Sequence, residues 1–488
     1  MHRLSLSLAC TSFLFSIALA GSITQICYAQ EKSGLEQATV SALEKQRPLK
    51  IPQVKFSTLR LANGLRVMLA PDHSAPVIAV SVTYDVGSRN ERPGRTGFAH
   101  LFEHLMFQCS ENIGHGEHFV LVNDNGGTFN GTTNQDRTNF FETLPSNQID
   151  LALFLEADRM RALDVNQDNL DNQRLVVQEE RRQSYDNQPF GGFQEAMLDI
   201  AHTNFAYKHS TIGSMIDLNA ANLSDVRDFY QTYYAPNNAA LAIVGDFDTH
   251  AIRAKIERYF GKIARHSESP ALDVTEPPLL TVQRRTIEDP LARQQRLLIG
   301  FMGVAGSNPD FYPLNLLGSI LSQGRTSRLR EALVTSKLAQ SANTGMSQSR
   351  AADLFTITAN LPVTGDPVKV EAAILAEIEK IKVSGPTETE LKRAKASARV
   401  SSINRLQTAL NRANTLAEYT IFYNDPARIN TLLPYLEAVT AEDIKRVAQK
   451  YLLEGHRIVV LGKPLRSAAV PDDSLDTPMF APDISFQN

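Results

Sequence analysis

The sequence predicts an α+β protein built from two similar domains. Short runs of β-branched and apolar residues alternate with helically periodic stretches along most of the chain. A polar break rich in Ser, Glu and Pro, residues 265–278, divides it. On each side of the break the order closes the same way. Leu223-Ser224-Asp225-Val226 begins a helix that leads through Tyr233 to a strand at Leu241, and Val439-Thr440-Ala441-Glu442-Asp443-Ile444 begins one that leads through Tyr451 to a strand at Ile458. Two unrelated halves are the alternative, since the match between them is weak residue by residue.

In chain order, residues 56–69 read as a hairpin: Leu59, Leu61, Leu65, Val67 and Leu69 alternate around Asn63-Gly64. Residues 77–85 form a β-branched strand, and helical periodicity follows at 97–106, 148–163 and 170–185. A short buried strand at 241–244 ends at Gly245-Asp246. After the break come a strand at 296–302, a helix at 312–321, a strand at 353–360, two long helical regions and a closing strand at 458–461. The expected domains are 53–264 and 282–466, joined by a linker at 265–281 and followed by an irregular tail at 467–488.

The 488 residues suffice for a sizeable core without disulfides. A formal net charge of −4 and the lack of a basic block argue against a nucleic-acid partner. The N-terminus pairs Arg3 with an apolar run over residues 4–20, then two small-x-small sites ending at Ala20 and Ala29. This reads as a cleaved signal peptide, residues 1–29, followed by a polar lead-in, 30–52. The run is short for an uncleaved anchor, which needs about 20 residues. Export to the periplasm or beyond follows. Cleavage after Ala29 removes Cys10 and Cys27 and leaves Cys109 alone.

The chemistry concentrates in His100-Leu101-Phe102-Glu103-His104. On a helix these two imidazoles and the carboxylate share one face. Two His one turn apart can ligate one zinc, and the Glu can reach a water on it. Phe98, Leu101, Phe102, Leu105 and Met106 form the opposite, core-facing side. A catalytic zinc takes three protein ligands. Glu142, Glu156, Glu179 and Glu180 are all available, and spacing does not choose among them. Gly114-His115-Gly116-Glu117-His118 reads as an exposed loop, and Arg181-Arg182 as a charged helix face.

From Leu59 to about Gly192 the chain closely resembles the N-terminal domain of the pitrilysin and insulysin family, which includes the mitochondrial processing peptidases. His100 to His104 matches its inverted zinc motif. The run Val176-Val177-Gln178-Glu179-Glu180-Arg181-Arg182 matches the family's third ligand, a Glu followed by basic residues, and so implies Glu180, 76 residues after His104. Residues 126–133, Gly-Gly-Thr-Phe-Asn-Gly-Thr-Thr, resemble the edge strand on which the family pairs its substrate, which implies substrate contacts at Asn130, Gly131 and Thr132. The resemblance implies two homologous domains, each a mixed, mostly antiparallel sheet flanked by helices, together half of a clamshell.

Three departures matter. Gln173 stands where the family often has a second Glu, so any support it gives a ligand brings no charge. Gly324-Arg325-Thr326-Ser327-Arg328-Leu329 resembles a segment that supplies an Arg to substrate, here Arg328, but Leu338-Ala339-Gln340 lacks the Tyr that normally follows. The helix expected to mirror the zinc helix, 314–321, has neither His nor Glu. The second half is therefore expected to be non-catalytic.

The resulting expectation is a metalloendopeptidase with one zinc on His100, His104 and Glu180. Glu103 is its general base toward a metal-activated water, and its substrates are peptides or unfolded polypeptides. The missing Tyr implies a heterodimer with a second chain of the same fold, a homodimer being the alternative. The rival reading is an assembly or binding subunit that has lost activity.

Overall fold

The computed structural model describes residues 53–465. The expected signal peptide, lead-in and tail, with Cys10 and Cys27, lie outside those residues. The strands fall into two sheets. The first contains β1 (Ser57–Arg60), β2 (Arg66–Pro71), β3 (Val77–Tyr84), β4 (Thr128–Thr133), β5 (Thr138–Pro145) and β6 (Ala239–Gly245), in the order β1-β2-β6-β3-β5-β4. The second contains β7 (Gln283–Asp289), β8 (Gln295–Met302), β9 (Ser341–Gly345), β10 (Leu354–Leu361) and β11 (Arg457–Pro464), in the order β7-β11-β8-β10-β9. β2 with β6 and β7 with β11 are parallel, and every other pair is antiparallel. Without β1 the two sheets have one topology: the last strand lies between the first and second, and the third strand is an edge. The mixed, mostly antiparallel sheet and its duplication are both present.

The helices repeat as well. The first half carries α1 (Phe98–Leu105), α2 (Glu117–Asp124), α3 (Ile149–Ala162), α4 (Gln167–Arg181), α5 (Phe193–Ala201), α6 (Met215–Ala220), α7 (Leu223–Tyr233) and α8 (Thr249–Phe260). The second carries α9 (Phe311–Ser322), α10 (Pro367–Ser384), α11 (Glu388–Arg405), α12 (Ala409–Tyr423), α13 (Arg428–Ala438) and α14 (Ala441–Tyr451). In both halves one of these helices, α1 or α9, joins the second strand to the third. The closing helices start at side-chain caps: Asn222 accepts from Asp225 N before α7, and Thr440 and Asp443 form a capping box before α14.

The halves exchange helices. α12, from the second half, lays Leu416, Ala417 and Ile421 on Met68, Ala79, Ala242 and Val244 of the first sheet. α5, from the first half, lays Phe193 and Met197 on Leu298, Ile458 and Val460 of the second. The two helices hold the same place in their halves, third after the fourth strand, so the exchange is reciprocal. A boundary drawn through the linker therefore separates stretches of sequence, not hydrophobic cores. The linker is itself pinned, because the Glu276 carboxylate accepts from Thr203 N at 2.9 Å and faces His202 Nδ1 at 3.1 Å. Arg350 adds a polar tie between the halves: its Nη2 reaches Asp85 at 2.8 Å and its backbone N–H reaches Asp136 at 3.0 Å.

Leu416 is fully buried in that exchanged contact. Leu416→Ala is expected to cost about 2–5 kcal/mol and to speed hydrogen exchange in β3 and β6, strands of the other half. Acceleration confined to the second sheet would contradict the exchange as the support of the first.

Candidate active site

α1 is amphipathic with a purpose on each face. Phe98, Ala99, Leu101, Phe102 and Leu105 are buried, and Phe102 stacks on Tyr234 with ring centroids 4.5 Å apart. His100, Glu103 and His104 occupy the other side. α4 starts at an Asn166 cap and buries Leu170, Gln173 and Val177. Its last turn brings Glu180 over α1. Glu180 Oε2 lies 3.3 Å from His104 Nε2 and 3.6 Å from His100 Nε2. Among the described residues this is the one cluster of His, Cys, Asp or Glu side chains with metal-ligand spacing.

Those distances provide a test of fit. Tetrahedral bonds of about 2.0–2.1 Å place ligand atoms about 3.3–3.4 Å apart; both Glu180 contacts are near that value and all three donor atoms lie within 4.8 Å of one another, so the donor set suits zinc. The other carboxylates do not compete. Glu142 and Glu156 are buried on β5 and α3, where Glu156 pairs with Arg159, and Glu179 is exposed and bonded to Arg182 and Gln183. Burial, with His104 alongside, pulls His100 down to about 4, so its ring is neutral and able to ligate near pH 7. The His104 hydrogen bond keeps Glu180 below the ordinary carboxylate range against the effect of burial.

Glu103 is tuned the other way. Burial raises its pKa, although Thr133 Oγ1 donates to its Oε2 at 2.5 Å. The carboxylate lies flat on β4 at Gly131, where a Cβ would meet Glu103 Oε1 and Cγ at 2.8 Å. A glycine is required there for close approach, not for turning.

β4 is the free edge of the first sheet. Its hairpin with β5 closes with Asn134 N donating to Arg137 O, so alternation points the backbone groups of Thr132 and Asn130 at β5. Those of Phe129, Gly131 and Thr133 face outward. Asn130 sits in mid-strand, and its Oδ1 accepts from the outward Gly131 N–H at 2.8 Å. Thr132 is held by Arg137, whose Nη1 reaches its carbonyl at 2.8 Å and hydroxyl at 2.6 Å, and whose Nε lies 4.0 Å from Glu418 on α12. Sequence reasoning missed Arg137. Its partner is 281 residues away, and only the exchanged helix brings it near.

Other expected residues land differently. Arg328 Nε and Nη2 are engaged by both Glu390 oxygens, at 2.7 and 2.8 Å, so its guanidinium serves this ion pair. Gln173 is buried and gives its amide to Asn172, while His100 Nδ1 is buried without a partner, so Gln173 does not support that ligand. His118 is not in a loop. It lies buried on α2 between Phe107 and Phe129, and burial, with Arg159 near, drives it down to about 3. Arg182 is solvated as expected, but Arg181 is mostly buried against Glu195.

Residues 66–215 match the domain described as insulinase (peptidase family M16), and residues 220–398 match the peptidase M16 inactive domain. The zinc protease PqqE of Helicobacter pylori is 30% identical over 418 residues, covering 84% of this chain and 93% of that protein. This chain belongs to peptidase family M16. A crystal structure of a protease from Helicobacter pylori matches this M16 chain with a TM-score of 0.80 at 29% identity, over 84% of this chain and 100% of that one. The mitochondrial-processing peptidase subunit beta of Lentinula edodes is 24% identical over 425 residues, 82% of this chain and 88% of that protein. Sequence and fold thus agree on one M16 unit with a topologically repeated second half.

Arg328→Gln should cost stability of about 1–2 kcal/mol near neutral pH. Glu390 is held at about 2 by Arg328, below the unfolded value of about 4.3. A depressed carboxylate stabilises the fold above its unfolded pKa. The gap between wild type and variant should therefore be full at neutral pH and shrink as pH falls from about 4.3 toward 2. Urea unfolding across that range measures it; a gap independent of pH would assign Arg328 another role.

Proposed function

We propose that this M16 chain is a zinc-dependent endopeptidase acting on peptides or unfolded polypeptides. The observation that carries the reading is the placement of a zinc-compatible His100, His104 and Glu180 set beside a raised-pKa Glu103 at an open sheet edge. His100, His104 and Glu180 would hold one zinc per chain. When bound, the metal supplies Lewis-acid polarisation of the scissile carbonyl and acidifies the attacking water. Glu103 accepts the proton that this water loses and passes it to the leaving amide nitrogen. Burial suits it to the task by raising its affinity for a proton without removing it from reach.

Substrate binds as an added strand on β4, through the outward backbone groups of Phe129, Gly131 and Thr133. Asn130 must release the Gly131 N–H for that pairing. It thus acts as an edge cover that substrate displaces, which also limits aggregation through the open edge. Such pairing selects extended segments over folded ones. The second half contributes no metal chemistry, because α9 has only apolar and small polar residues where α1 has His and Glu. A second chain of the same fold completes the substrate chamber and supplies the Tyr absent from Leu338-Ala339-Gln340. The description of the Lentinula relative as a subunit supports an assembly of this kind. The signal-like N-terminus supports export to the periplasm or beyond; among the described residues no helix is long and apolar enough to cross a membrane.

Glu103→Gln should retain stoichiometric zinc and lose turnover by about 10²–10⁴-fold. Glu180→Gln should lose both metal and turnover. A Glu180→Gln protein with full zinc, or a wild type that purifies without metal and cleaves nothing with added zinc, would sink the reading. Gly131→Ala tests the packing of the base: its methyl group displaces Glu103 while leaving the ligands, so kcat should fall about 10²-fold at unchanged zinc content. Equal kcat values for the two proteins would show that Glu103 does not depend on this contact.

A further inference from the structure

The ligands of this site lie on two helices, and something must set the distance between them. α1 lacks a side-chain cap. Its N-cap is Gly97, and the first-turn N–H groups are taken instead by a distant carboxylate: Glu91 accepts from Gly97 N at 2.9 Å and from Ala99 N at 2.8 Å. His209 Nε2 lies 2.9 Å from that carboxylate, and His209 Nδ1 lies 3.0 Å from Phe205 O. With an oxygen acceptor at each ring nitrogen, the imidazole is arranged to donate from both. His209 thus fastens the start of the helix that bears His100 and His104 to residues 205–213.

The same segment holds the other helix. Arg181, next to Glu180, donates to Gly213 O and binds Glu195 through Nη1 at 2.8 Å and Nη2 at 3.1 Å. Ser210 donates to that same Glu195. Between the two anchor points the backbones touch: a Cβ on Gly213 would stand 2.5 Å from Gly97 Cα, and one on Gly97 would stand 2.7 Å from Ile212 O. Both glycines have positive φ, +86° at Gly97 and +76° at Gly213, so the contact demands glycine twice over.

We propose that residues 205–213 form a bracket that sets the spacing of the two ligand-bearing helices, with His209 and Arg181 as positioning residues for the metal. The proposal rests on the zinc peptidase reading. The Arg181 and His209 side chains bond to Glu195, Gly213 O and Glu91 instead of to a ligand atom, so each would act by placing a helix. A metal site tolerates displacements of only about 0.5 Å, less than the slack expected when a charged anchor is lost.

The test uses the full chain with His209→Gln, Arg181→Gln and Arg181→Lys. Arg182→Gln is the control, because it removes an exposed charge from the same turn without touching the bracket. Zinc dissociation constants by chelator competition and the visible spectrum of the cobalt-substituted protein are read beside turnover at saturating zinc. Both Gln variants should weaken zinc about 10–100-fold and alter the cobalt spectrum. Turnover should return to within a few-fold of wild type at saturating zinc. Arg181→Lys should be only partly rescued, because an ammonium cannot grip Glu195 bidentately and Gly213 O together, and the control should bind zinc like wild type. If the Gln variants bind zinc like wild type with unchanged cobalt spectra, the bracket is overturned even where thermal stability falls. If the control weakens zinc as much as they do, charge and not geometry is responsible, and the proposal also fails. A wild type that binds no zinc sinks the peptidase reading along with it, a result distinct from normal wild-type binding with insensitive variants.

Discussion

The contact between Glu103 and Gly131 constrains everything around it. In the proposed peptidase reading, the carboxylate that takes the proton must sit beside the metal ligands, and the strand that receives substrate must pass close to that carboxylate. Both conditions are met by pressing Glu103 onto the backbone of β4, which leaves no room for a side chain at Gly131. Thr133 then fixes the carboxylate from the same strand. Glu103 and the free edge strand are thus joined by one packing contact.

The electrostatics follow from where that contact lies. α1 has its apolar face in the core, so its polar face is only partly wetted. Burial drives His100 down and Glu103 up, the directions that favour an imidazole ligand and a proton acceptor. Glu180 stays more exposed, at 41% of its side chain, and remains a carboxylate because two imidazoles face it. One helix and one neighbouring helix end thereby produce three differently tuned groups within a few ångströms.

The two halves share a topology but not a chemistry. In the second half α9 occupies the place of α1, and Leu314, Leu317, Ile320 and Leu321 bury it without offering a metal ligand. From this half, α12 covers the first sheet and carries Glu418 toward Arg137, which holds edge strand β4. The reciprocal move of α5 makes the dependence mutual. Neither half can be discarded, because each core is closed by a helix from the other.

Much of this was legible in the residues. The hairpin at Asn63-Gly64, the strand after Pro76, the amphipathic α1 and the paired α7 and α14 endings follow from local periodicity, turn chemistry and caps, which act over a few residues and leave their pattern in sequence. The spacing of His100, Glu103 and His104 is local in the same sense. Glu180 was different: four carboxylates were equally placed by spacing, and family resemblance singled out the one that the fold brings to the imidazoles. The exchange of α5 and α12, the grip of Arg137, the burial of His118, the engagement of Arg328 by Glu390 and the bracket at 205–213 were decided only in three dimensions. Each depends on which distant surfaces meet, and a sequence records the composition of a face without recording its partner. The sequence by itself determined the elements and the chemistry they carry; tertiary packing determined the distances at which that chemistry can act.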